Sequence, residues 1–502
     1  MSGAQVVVRR IEIEGNTVVS SDVLAEVARP YVERRLSYAD LQTLRDRLTL
    51  AYVTRGYVTS GATLPTQTLA DGVLRVQIIE GRLGDIDVEV DGRLRPSYFR
   101  WRLAHEQGGV LNVEKLEKQL QLFQQDVRVQ SLQARLQPTP TRGVARLNLV
   151  VREAPFYAVR ADFNNYRSPS IGALGGTVSL GLTNLIGVGD SFQARFTGSE
   201  GLSQTEVRYE VPFTVWDTRF GASYQYSEGK VVDDDFEALG IESKAETVGI
   251  VFAQPLYRSL QSFVGVELHA DWRRAQSFLF DGAIGLPTSY SEDGKSQEAV
   301  LRFGLDASYH TRSQSLAFRS LISWGIDALG ATVNPAEIPD GRFVSWLGQF
   351  QWASRLPWLD AQMLTRFDVQ LANHPLLPLE QFAVGGRYTV RGYRENLLVR
   401  DNGLAGSFEL RVPIYQHSEA GIRIELVPFA DVGHSWNNDR PGSLENTRPE
   451  TIASVGVGAR MLLKRWGFAE LYWGHHLNEV RSLGQSDLQD DGIHFRVGLS
   501  WP

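Results

Sequence analysis

Residues 493–501 read IHFRVGLSW, a segment in which apolar and polar side chains alternate. The apolar side chains stand at the odd-numbered positions, namely Ile493, Phe495, Val497, Leu499 and Trp501. Because successive side chains of a strand point to opposite faces, the segment predicts a β-strand with one apolar and one polar face. Such a strand by itself fits both a water-soluble sandwich and a membrane barrel.

About sixteen segments of this kind follow residue 154. They span residues 155–165, 172–183, 190–198, 203–211, 217–227, 244–253, 260–271, 297–309, 315–326, 343–354, 360–371, 403–413, 420–431, 452–463, 466–474 and 493–501. Connections after even-numbered segments are short, and those after odd-numbered segments are long from the third onward: 228–243, 272–296, 327–342, 372–402, 432–451 and 475–492. Short turns at one rim and long loops at the other are typical of outer-membrane barrels. We therefore predict a membrane β-barrel of about 16 antiparallel strands over residues 154–502, with a soluble all-β domain as the alternative.

Composition agrees with a strand-based membrane protein. The 502-residue chain has no cysteine, which excludes disulfides, thiolate metal sites and cysteine nucleophiles. No run approaches 18 consecutive apolar residues, so we expect no transmembrane helix. Ten of the eleven tryptophans follow residue 154, as expected for aromatic girdles at a membrane interface. The net charge of −7 gives no support for a nucleic-acid partner.

The N-terminal part predicts two small α+β domains in tandem. In the first, a strand over residues 6–14 is followed by a short helix, a helix over residues 38–55, and strands over residues 58–64 and 73–79. The same order repeats over residues 85–90, 96 to about 105, 113–123, 129–137 and 145–151. We expect domain boundaries at residues 4–81, 82–153 and 154–502.

The longest loop, residues 372–402, contains the segment AVGGRYTVRGYRE at residues 383–395. Its candidate motif residues are Gly385, Gly386, Val390, Gly392 and Tyr393, together with Arg391. The glycines permit a tight fold-back of the loop. An arginine in a confined site needs a carboxylate partner because it does not deprotonate.

Asp431 is the carboxylate that we expect to meet Arg391. In the strand predicted over residues 421–431, alternation places Asp431 on the same face as Arg423 and Glu425, away from the apolar face. We predict an ion pair between Arg391 and Asp431 that holds the loop inside the barrel. The alternative interpretations are a solvated turn arginine and an aspartate that caps the turn after its own strand.

Four segments carry a resemblance to a known family. They are VRGY at residues 390–393, VPFADVG at residues 427–433, NLIGVGDSF at residues 184–192 and YVTRGYVTSGATLPTQTLADGVLRVQIIEGRLGDI at residues 52–86. Together they resemble two-partner secretion transporters (TpsB type, the ShlB/FhaC/HecB family) of the outer-membrane assembly-factor superfamily. The resemblance spans nearly the whole chain. It implies two polypeptide-transport-associated (POTRA) domains in the periplasm, followed by a 16-stranded barrel in the outer membrane of a Gram-negative bacterium.

The resemblance also implies a function and a set of partners. We expect the chain to export one large secreted exoprotein with an N-terminal secretion domain, without a nucleotide or any other cofactor. The resemblance assigns the loop-locking roles to Arg391 and Asp431. Further expected partners are outer-membrane lipid, lipopolysaccharide and the barrel-assembly machinery, and we expect a monomer.

The chain departs from the family pattern at both ends. Family members commonly begin with a helix that plugs the barrel, whereas here the first predicted strand starts near residue 6. We expect this helix to be naturally absent or trimmed, and any signal peptide to be removed or missing from the sequence. The superfamily usually ends on an aromatic residue, whereas Trp501 is followed by Pro502.

Client recognition is predicted at an exposed strand edge of the first POTRA domain. An unfolded client gains main-chain hydrogen bonds by adding a strand to such an edge. We expect the edge at residues 58–64, beside the helix over residues 38–55, to serve this purpose through Val58, Thr59, Ser60, Ala62 and Leu64.

Motifs for catalysis are absent or weak. No GxxxxGK[ST] phosphate loop and no GxSxG nucleophile elbow occurs, so we predict neither an enzyme nor a metal site. Three function classes remain: single-client export, a membrane-protein insertase that acts on many barrels, and a passive porin.

Overall fold

The structure is a computed structural model that describes residues 5–104, 108–335, 338–438, 449–464, 466–480, 484 and 486–502. Its chain divides into two compact units, one of residues 1–154 with the turn 186–189 and one of the remaining residues. Within the described residues, no helix is both long and apolar enough to cross a membrane.

The first half of the N-terminal unit forms around two helices and a three-stranded sheet. Its elements are β1 (Val6–Val8), β2 (Arg10–Glu14), α1 (Ser21–Ala28), β3 (Arg34–Leu36), α2 (Tyr38–Val53), β4 (Gly61–Thr63) and β5 (Val73–Ile79). The sheet order is β2-β5-β4, with β2 and β5 parallel. A capping box of Ser37 and Asp40 starts α2, which buries Leu44, Leu48 and Tyr52 against the sheet.

The second half repeats this order of elements. It consists of β6 (Arg82–Asp91), α3 (Pro96–Leu103), α4 (Val113–Gln124), β7 (Val129–Pro138) and β8 (Val144–Glu153). The sheet order is β6-β8-β7, again with the outer strand β6 parallel to the central strand β8. Asn112 caps α4, and Phe99, Phe123 and Leu147 lie in the apolar core.

Several predicted elements of this unit differ in extent from those in the structure. The strand predicted over residues 6–14 is two strands, because β1 pairs with β3 whereas β2 pairs with β5. The strand predicted over residues 58–64 is limited to Gly61–Thr63, because residues 58 and 59 belong to the turn that follows α2. Helix α3 ends at Leu103, and the predicted end near His105 lies outside the described residues.

The second unit is a closed barrel of sixteen antiparallel strands. They are β9 (Tyr157–Asn164), β10 (Gly175–Thr183), β11 (Ser191–Ser199), β12 (Leu202–Pro212), β13 (Arg219–Lys230), β14 (Glu242–Arg258), β15 (Ser262–Leu279), β17 (Lys295–His310), β18 (Gln314–Ile326), β19 (Val344–Leu356), β20 (Ala361–Ala372), β23 (Asn402–His417), β24 (Ile422–Trp436), β25 (Glu450–Leu463), β26 (Gly467–His476) and β27 (Ile493–Trp501). Strand β27 pairs with β9 and closes the barrel.

Besides short 3₁₀ turns, the described connections contain one short helix and three short strands. They are α5 (Asp234–Glu237), β16 (Ile284–Gly285), which pairs with β15, and the hairpin of β21 (Phe382–Val384) and β22 (Leu398–Arg400). The hairpin belongs to the loop between β20 and β23.

The barrel wall shows the predicted alternation. Val497, Leu499 and Trp501 of β27 are about half exposed, whereas His494 of the same strand is fully buried. Large exposed apolar side chains recur on the other strands, among them Phe163, Phe196 and Trp473. A band of this kind is costly in water and suits contact with lipid hydrocarbon, so the membrane barrel predicted from the sequence is confirmed and the soluble all-β alternative is not.

All sixteen predicted segments correspond to strands, but several strands are longer than predicted. Strand β14 has 17 residues and β15 has 18, so parts of the predicted loops 228–243 and 272–296 continue the wall. Alternation weakens in these extensions, which is why the pattern underestimated them. Parts of four predicted connections, residues 336–337, 439–448, 465, 481–483 and 485, lie outside the described residues.

Candidate functional site

The loop between β20 and β23 folds so that its arginine is enclosed. Strands β21 and β22 form the stem of the loop, and Gly385 and Gly386 turn the chain after β21 with φ of 115° and 94°. Arg391 is 1% exposed and is the largest fully buried side chain among the described residues. The loop therefore carries a cation into the interior instead of into solvent.

Two acidic side chains of the wall receive this cation. Nε and Nη2 of Arg391 donate to the two carboxylate oxygens of Asp431 at 2.7 and 2.8 Å. Nη1 donates to Glu409 at 2.7 Å, and Nη2 also donates to Ser407 at 3.0 Å. The backbone N–H of Arg391 donates to Asp431 as well, at 3.0 Å. The structure thus brings together the two residues that the sequence paired, in the bidentate arrangement that only arginine provides.

An aromatic pair encloses the guanidinium. Its central carbon lies 3.6 Å from the ring centroid of Phe429 and 5.2 Å from that of Tyr472. The negative face of a ring attracts a cation, and the same rings exclude water from the ion pairs. Removal of one partner from such a desolvated pair typically costs about 3–5 kcal/mol, because the other charge stays buried.

Gly392 allows the loop to lie directly on strand β26. A Cβ at Gly392 would stand 2.8 Å from the carbonyl oxygen of Gly474, and a Cβ at Gly474 would stand 2.9 Å from Cα of Gly392. Gly392 also has a φ of +92°, which side-chain-bearing residues rarely adopt. The second glycine of this contact, Gly474, was not singled out from the sequence.

The remaining motif residues pack or hydrogen-bond against the wall. Val390 is fully buried in an apolar cluster with Val384, Leu398 and Ile452. The hydroxyl of Tyr393 lies 2.8 Å from the carbonyl oxygen of Asn478 and 3.0 Å from that of Ala453.

The far end of the loop contacts the connection that precedes β27. Arg394 pairs with Asp490, and the backbone N–H of Glu395 donates to Oε1 of Gln489 at 2.8 Å. Nε2 of Gln489 donates to the carbonyl oxygens of Asn165 and Arg167, which follow β9. One buried glutamine therefore connects the loop with both strands that close the barrel.

Sequence reasoning missed Glu409, Ser407, Phe429 and Tyr472. All four lie on strands that the sequence predicts, and the register aligns Glu409 with Phe429 and Ser407 with Asp431. By alternation Ser407 and Glu409 fall on the polar face of their strand, opposite Phe408 and Leu410, but nothing in the sequence pairs two strands at a particular register. Their position on the polar face was the signal by which the sequence could have identified Ser407 and Glu409 as candidate partners of Arg391.

The residues predicted for client binding are not all on one strand edge. Val58 is exposed in the turn before β4, and Ser60 is buried with its hydroxyl accepting from the N–H of Gly81 at 2.8 Å. Ala62 lies in β4, where its N–H donates to Oγ1 of Thr49 of α2 at 3.0 Å. Leu64 follows β4 and packs against the core.

Thr59 lies in the same turn, and its hydroxyl is buried without a hydrogen-bond partner among the described residues. The prediction of a continuous edge from Val58 to Leu64 is therefore wrong. Of the predicted segment, only the residues of β4, Gly61, Ala62 and Thr63, form an edge strand of the sheet, whose other edge strand is β2.

Within the segment at residues 52–86, Tyr52 and Glu80 are joined by a hydrogen bond. The buried Tyr52 hydroxyl donates to Glu80 at 2.9 Å, and the N–H groups of Thr17 and Val18 donate to the same carboxylate at 2.6 and 3.0 Å. Burial raises the pKa of Tyr52. Burial would also raise the pKa of Glu80, but the hydrogen bonds from Thr17, Val18 and Tyr52 outweigh it and hold that pKa below its ordinary value.

Comparison with known proteins places the chain among secretion transporters. Residues 143–461 match the family described as haemolysin secretion/activation protein ShlB/FhaC/HecB, and residues 6–81 match the ShlB-type POTRA domain. The chain is 27% identical over 453 residues to outer membrane transporter CdiB-2 of Burkholderia pseudomallei, covering 84% of this chain and 71% of that protein. It is 23% identical over 467 residues to the heme/hemopexin transporter protein HuxB of Haemophilus influenzae, covering 90% and 80%.

Solved structures show the same fold. CdiB from Escherichia coli superimposes with a TM-score of 0.72 at 19% identity, covering 100% of this chain and 91% of that one. BamA from Haemophilus ducreyi gives 0.60 at 12% identity, covering 99% and 100%. Because one family profile covers residues 143–461, more than half of the chain, the protein belongs to the ShlB/FhaC/HecB family of two-partner secretion transporters of the outer membrane, a transporter family and not an enzyme family.

Proposed function

We propose that the chain recognises one unfolded exoprotein in the periplasm and exports it through the barrel without a nucleotide. The observation that carries this proposal is the buried cation of the loop, Arg391, held by Asp431 and Glu409 of the wall. Noncovalent ion pairs hold a loop firmly and still allow its release. A passive porin has no need of such a releasable obstruction, nor of an N-terminal POTRA domain.

The proposal includes a division of the chain into three parts. Residues 4–81 and 82–153 would form two POTRA domains, and residues 154–502 would form the barrel with the inward loop 372–402. Residues 82–153 support this division because they repeat the element order and the sheet order of the first half. Arg391 and Asp431 would act as the lock of the loop, positioned by its motif residues.

We place client recognition at the edge of β4, beside α2. An extended segment that adds to β4 has to accept from main-chain N–H groups. The N–H of Ala62 already donates to Thr49, so a client would displace the threonine hydroxyl or bind beside it. Leu64 supplies an apolar contact directly after the strand, whereas the turn position of Val58 and the buried hydroxyl of Ser60 remove them from the edge.

Thr49→Val tests this placement. The variant keeps the shape of the side chain and frees the N–H of Ala62, so we expect tighter binding of the client's N-terminal domain. Thr54→Val is the matched control, because the Thr54 hydroxyl bonds to Leu50 of its own helix. Equal affinities for both variants and for the parent chain in a binding titration would exclude the β4 edge.

The driving force that we propose is folding of the client outside the cell, which prevents its return. A client whose folding is blocked should then stall in the pore. Free passage of a folding-blocked client, measured as its release into the medium, would contradict this part. Lipid, lipopolysaccharide and the barrel-assembly machinery complete the set of partners, and the transporter acts as a monomer in this scheme.

The decisive experiment compares the outer membrane and culture medium with and without the gene by quantitative proteomics. Loss of one large protein from the surface or medium supports dedicated export and identifies the client. Broad depletion of outer-membrane barrels would favour the second candidate, an insertase, whose fold is shared by the BamA structure. An unchanged protein pattern would leave the passive porin.

A further inference from the structure

A second buried ion cluster joins the loop to a different part of the wall. Glu380 lies in a short 3₁₀ turn of the loop, ahead of β21, and its side chain is 5% exposed. Arg302 of β17 donates to both of its carboxylate oxygens, at 2.6 and 2.9 Å. Arg273 of β15 donates to Glu380 at 2.7 Å and to the carbonyl oxygen of Leu379 at 3.1 Å.

This cluster has the reverse polarity of the Arg391 site. There, one cation of the loop meets two acids on β23 and β24. Here, one acid of the loop meets two cations on β15 and β17. The backbone carbonyl of Glu380 also accepts from Gln370 of β20 at 2.8 Å, so the turn is fixed at its main chain as well as its side chain.

Each of the two arginines also has an acidic side chain of the wall close to it. Arg302 donates through Nε to Asp271 at 2.9 Å, in addition to its bond with Glu380. Arg273 stands directly opposite Glu298 in the register of β15 and β17. Opposite charges at such positions lie close enough to pair.

Glu298 has no arginine partner while Glu380 of the loop pairs with Arg273. It is 1% exposed, and neither of its carboxylate oxygens has a hydrogen-bond partner among the described residues. Without Glu380, the wall has two cations, Arg273 and Arg302, and two acids, Asp271 and Glu298. With Glu380 in place, three acidic side chains share two arginines, so one acid of the cluster has no cation to pair with.

We propose that Glu380 is a second anchor of the inward loop, and that Glu298 makes this anchor releasable by taking over Arg273 when Glu380 leaves. The Arg391 site has no such replacement among the residues that the structure describes, because Asp431 pairs there with no cation other than Arg391. The Glu380 end of the loop therefore releases before the Arg391 end. This inference rests on the proposed function, in which the loop must clear the pore for a client.

Two substitutions of equal chemistry should act in opposite directions. Glu380→Gln removes the loop charge that Arg273 and Arg302 hold, so we expect the purified full chain to open several-fold more often in planar lipid bilayers. Glu298→Gln removes the acid that would take over Arg273, so we expect openings to be several-fold rarer. A merely structural role would make both variants leakier.

Glu267→Gln is the matched control. Glu267 also lies on β15, two positions before His269, and pairs with His269 and Arg319 of the wall. We expect wild-type opening for this variant. Heat-dependent gel mobility verifies that each variant is a folded barrel before it is measured.

Loop position is measured independently with two nitroxide labels. The chain has no cysteine, so Leu379→Cys and Ser313→Cys give two unique attachment points, one beside the anchor and one in the turn after β17. Glu380→Gln should broaden the label distance distribution and Glu298→Gln should narrow it.

Unchanged opening and distances in Glu380→Gln, or increased opening in Glu298→Gln, would overturn the proposal. No client is present in either assay. A negative result therefore reports on the anchor, whereas failure of dedicated export would show only in the proteomic comparison.

Discussion

At the scale of single residues, the functional site depends on one arginine that uses its whole guanidinium. Arg391 donates to Asp431, Glu409 and Ser407 and stacks on Phe429. Charge alone does not reproduce this arrangement, because a lysine ammonium lacks the planar fork.

Arg391→Lys should therefore destabilise the site although the charge is kept. At least one buried acceptor loses its donor, which costs about 1–3 kcal/mol. We expect a lower unfolding temperature of the barrel, measured by heat-dependent gel mobility, and more frequent pore opening. Arg319→Lys, in a partly exposed pair with Glu267, serves as the control. Equal unfolding temperatures for the two variants would contradict the role of the fork.

In the N-terminal unit, Glu80 is a carboxylate held by several hydrogen bonds. Because these bonds lower its pKa, the stability of this unit should depend on pH. A carboxyl whose pKa is lower in the folded state contributes stability above its unfolded pKa, about 4.3, and loses that contribution as the pH falls through the folded value. Glu80→Gln should cost about 1 kcal/mol near pH 7 and progressively less as the pH falls through the folded pKa of Glu80. Urea-dependent proteolysis of the full chain, scored as cleavage within residues 5–81, measures the difference. A difference independent of pH would exclude the ionised carboxylate as its source.

At the scale of elements, the loop and strand β26 approach each other backbone to backbone. Gly474→Ala places a methyl group against Gly392, and overpacking of this kind costs about 1–3 kcal/mol. We expect the loop to be displaced and to become sensitive to protease from outside. Gly176→Ala in β10 is the control, since the nearest atom to its added Cβ is a carbonyl oxygen at 3.6 Å. Equal protease sensitivity of both variants would show that the contact is not required.

At the scale of the whole barrel, the two strands that close it, β27 and β9, share fewer residue pairs than any other two neighbouring wall strands. Six residue pairs join β27 with β9, from Arg496 and Asn164 to Trp501 and Val159, whereas β15 and β17 share fifteen. Fewer ladder hydrogen bonds make local opening easier.

Hydrogen exchange should show this difference directly. We expect the amides of β9 and β27 to exchange faster than those of β15 and β17 in the intact barrel. Gln489→Ala removes the bonds to Asn165, Arg167 and Glu395 and should accelerate exchange further in β9. Uniform exchange around the wall would contradict a weak closing seam.

The sequence predicted the barrel well because alternation is a local property. In each of the sixteen segments, apolar and polar side chains alternate with a period of two residues. The lengths of the connections distinguish the rim with short turns from the rim with long loops. The prediction of a strand over residues 58–64 was wrong at its start, where local composition does not decide the structure. Residues 58–60 have strand-like composition, yet they continue the turn after α2, where the N–H of Ser60 donates to the carbonyl oxygen of Tyr57 at 3.0 Å.

The sequence by itself determined the strand count, the polar face of each strand and the need of Arg391 for a carboxylate. Only the tertiary structure decided that Glu409 shares this cation, that Gly474 lies under Gly392 and that Glu380 meets Arg302 on a distant strand. The physical reason is that side-chain alternation is encoded residue by residue along the chain. Contacts between a loop and the wall depend instead on strand register and barrel closure, which bring together residues as far apart in the chain as Asp162 and Arg496.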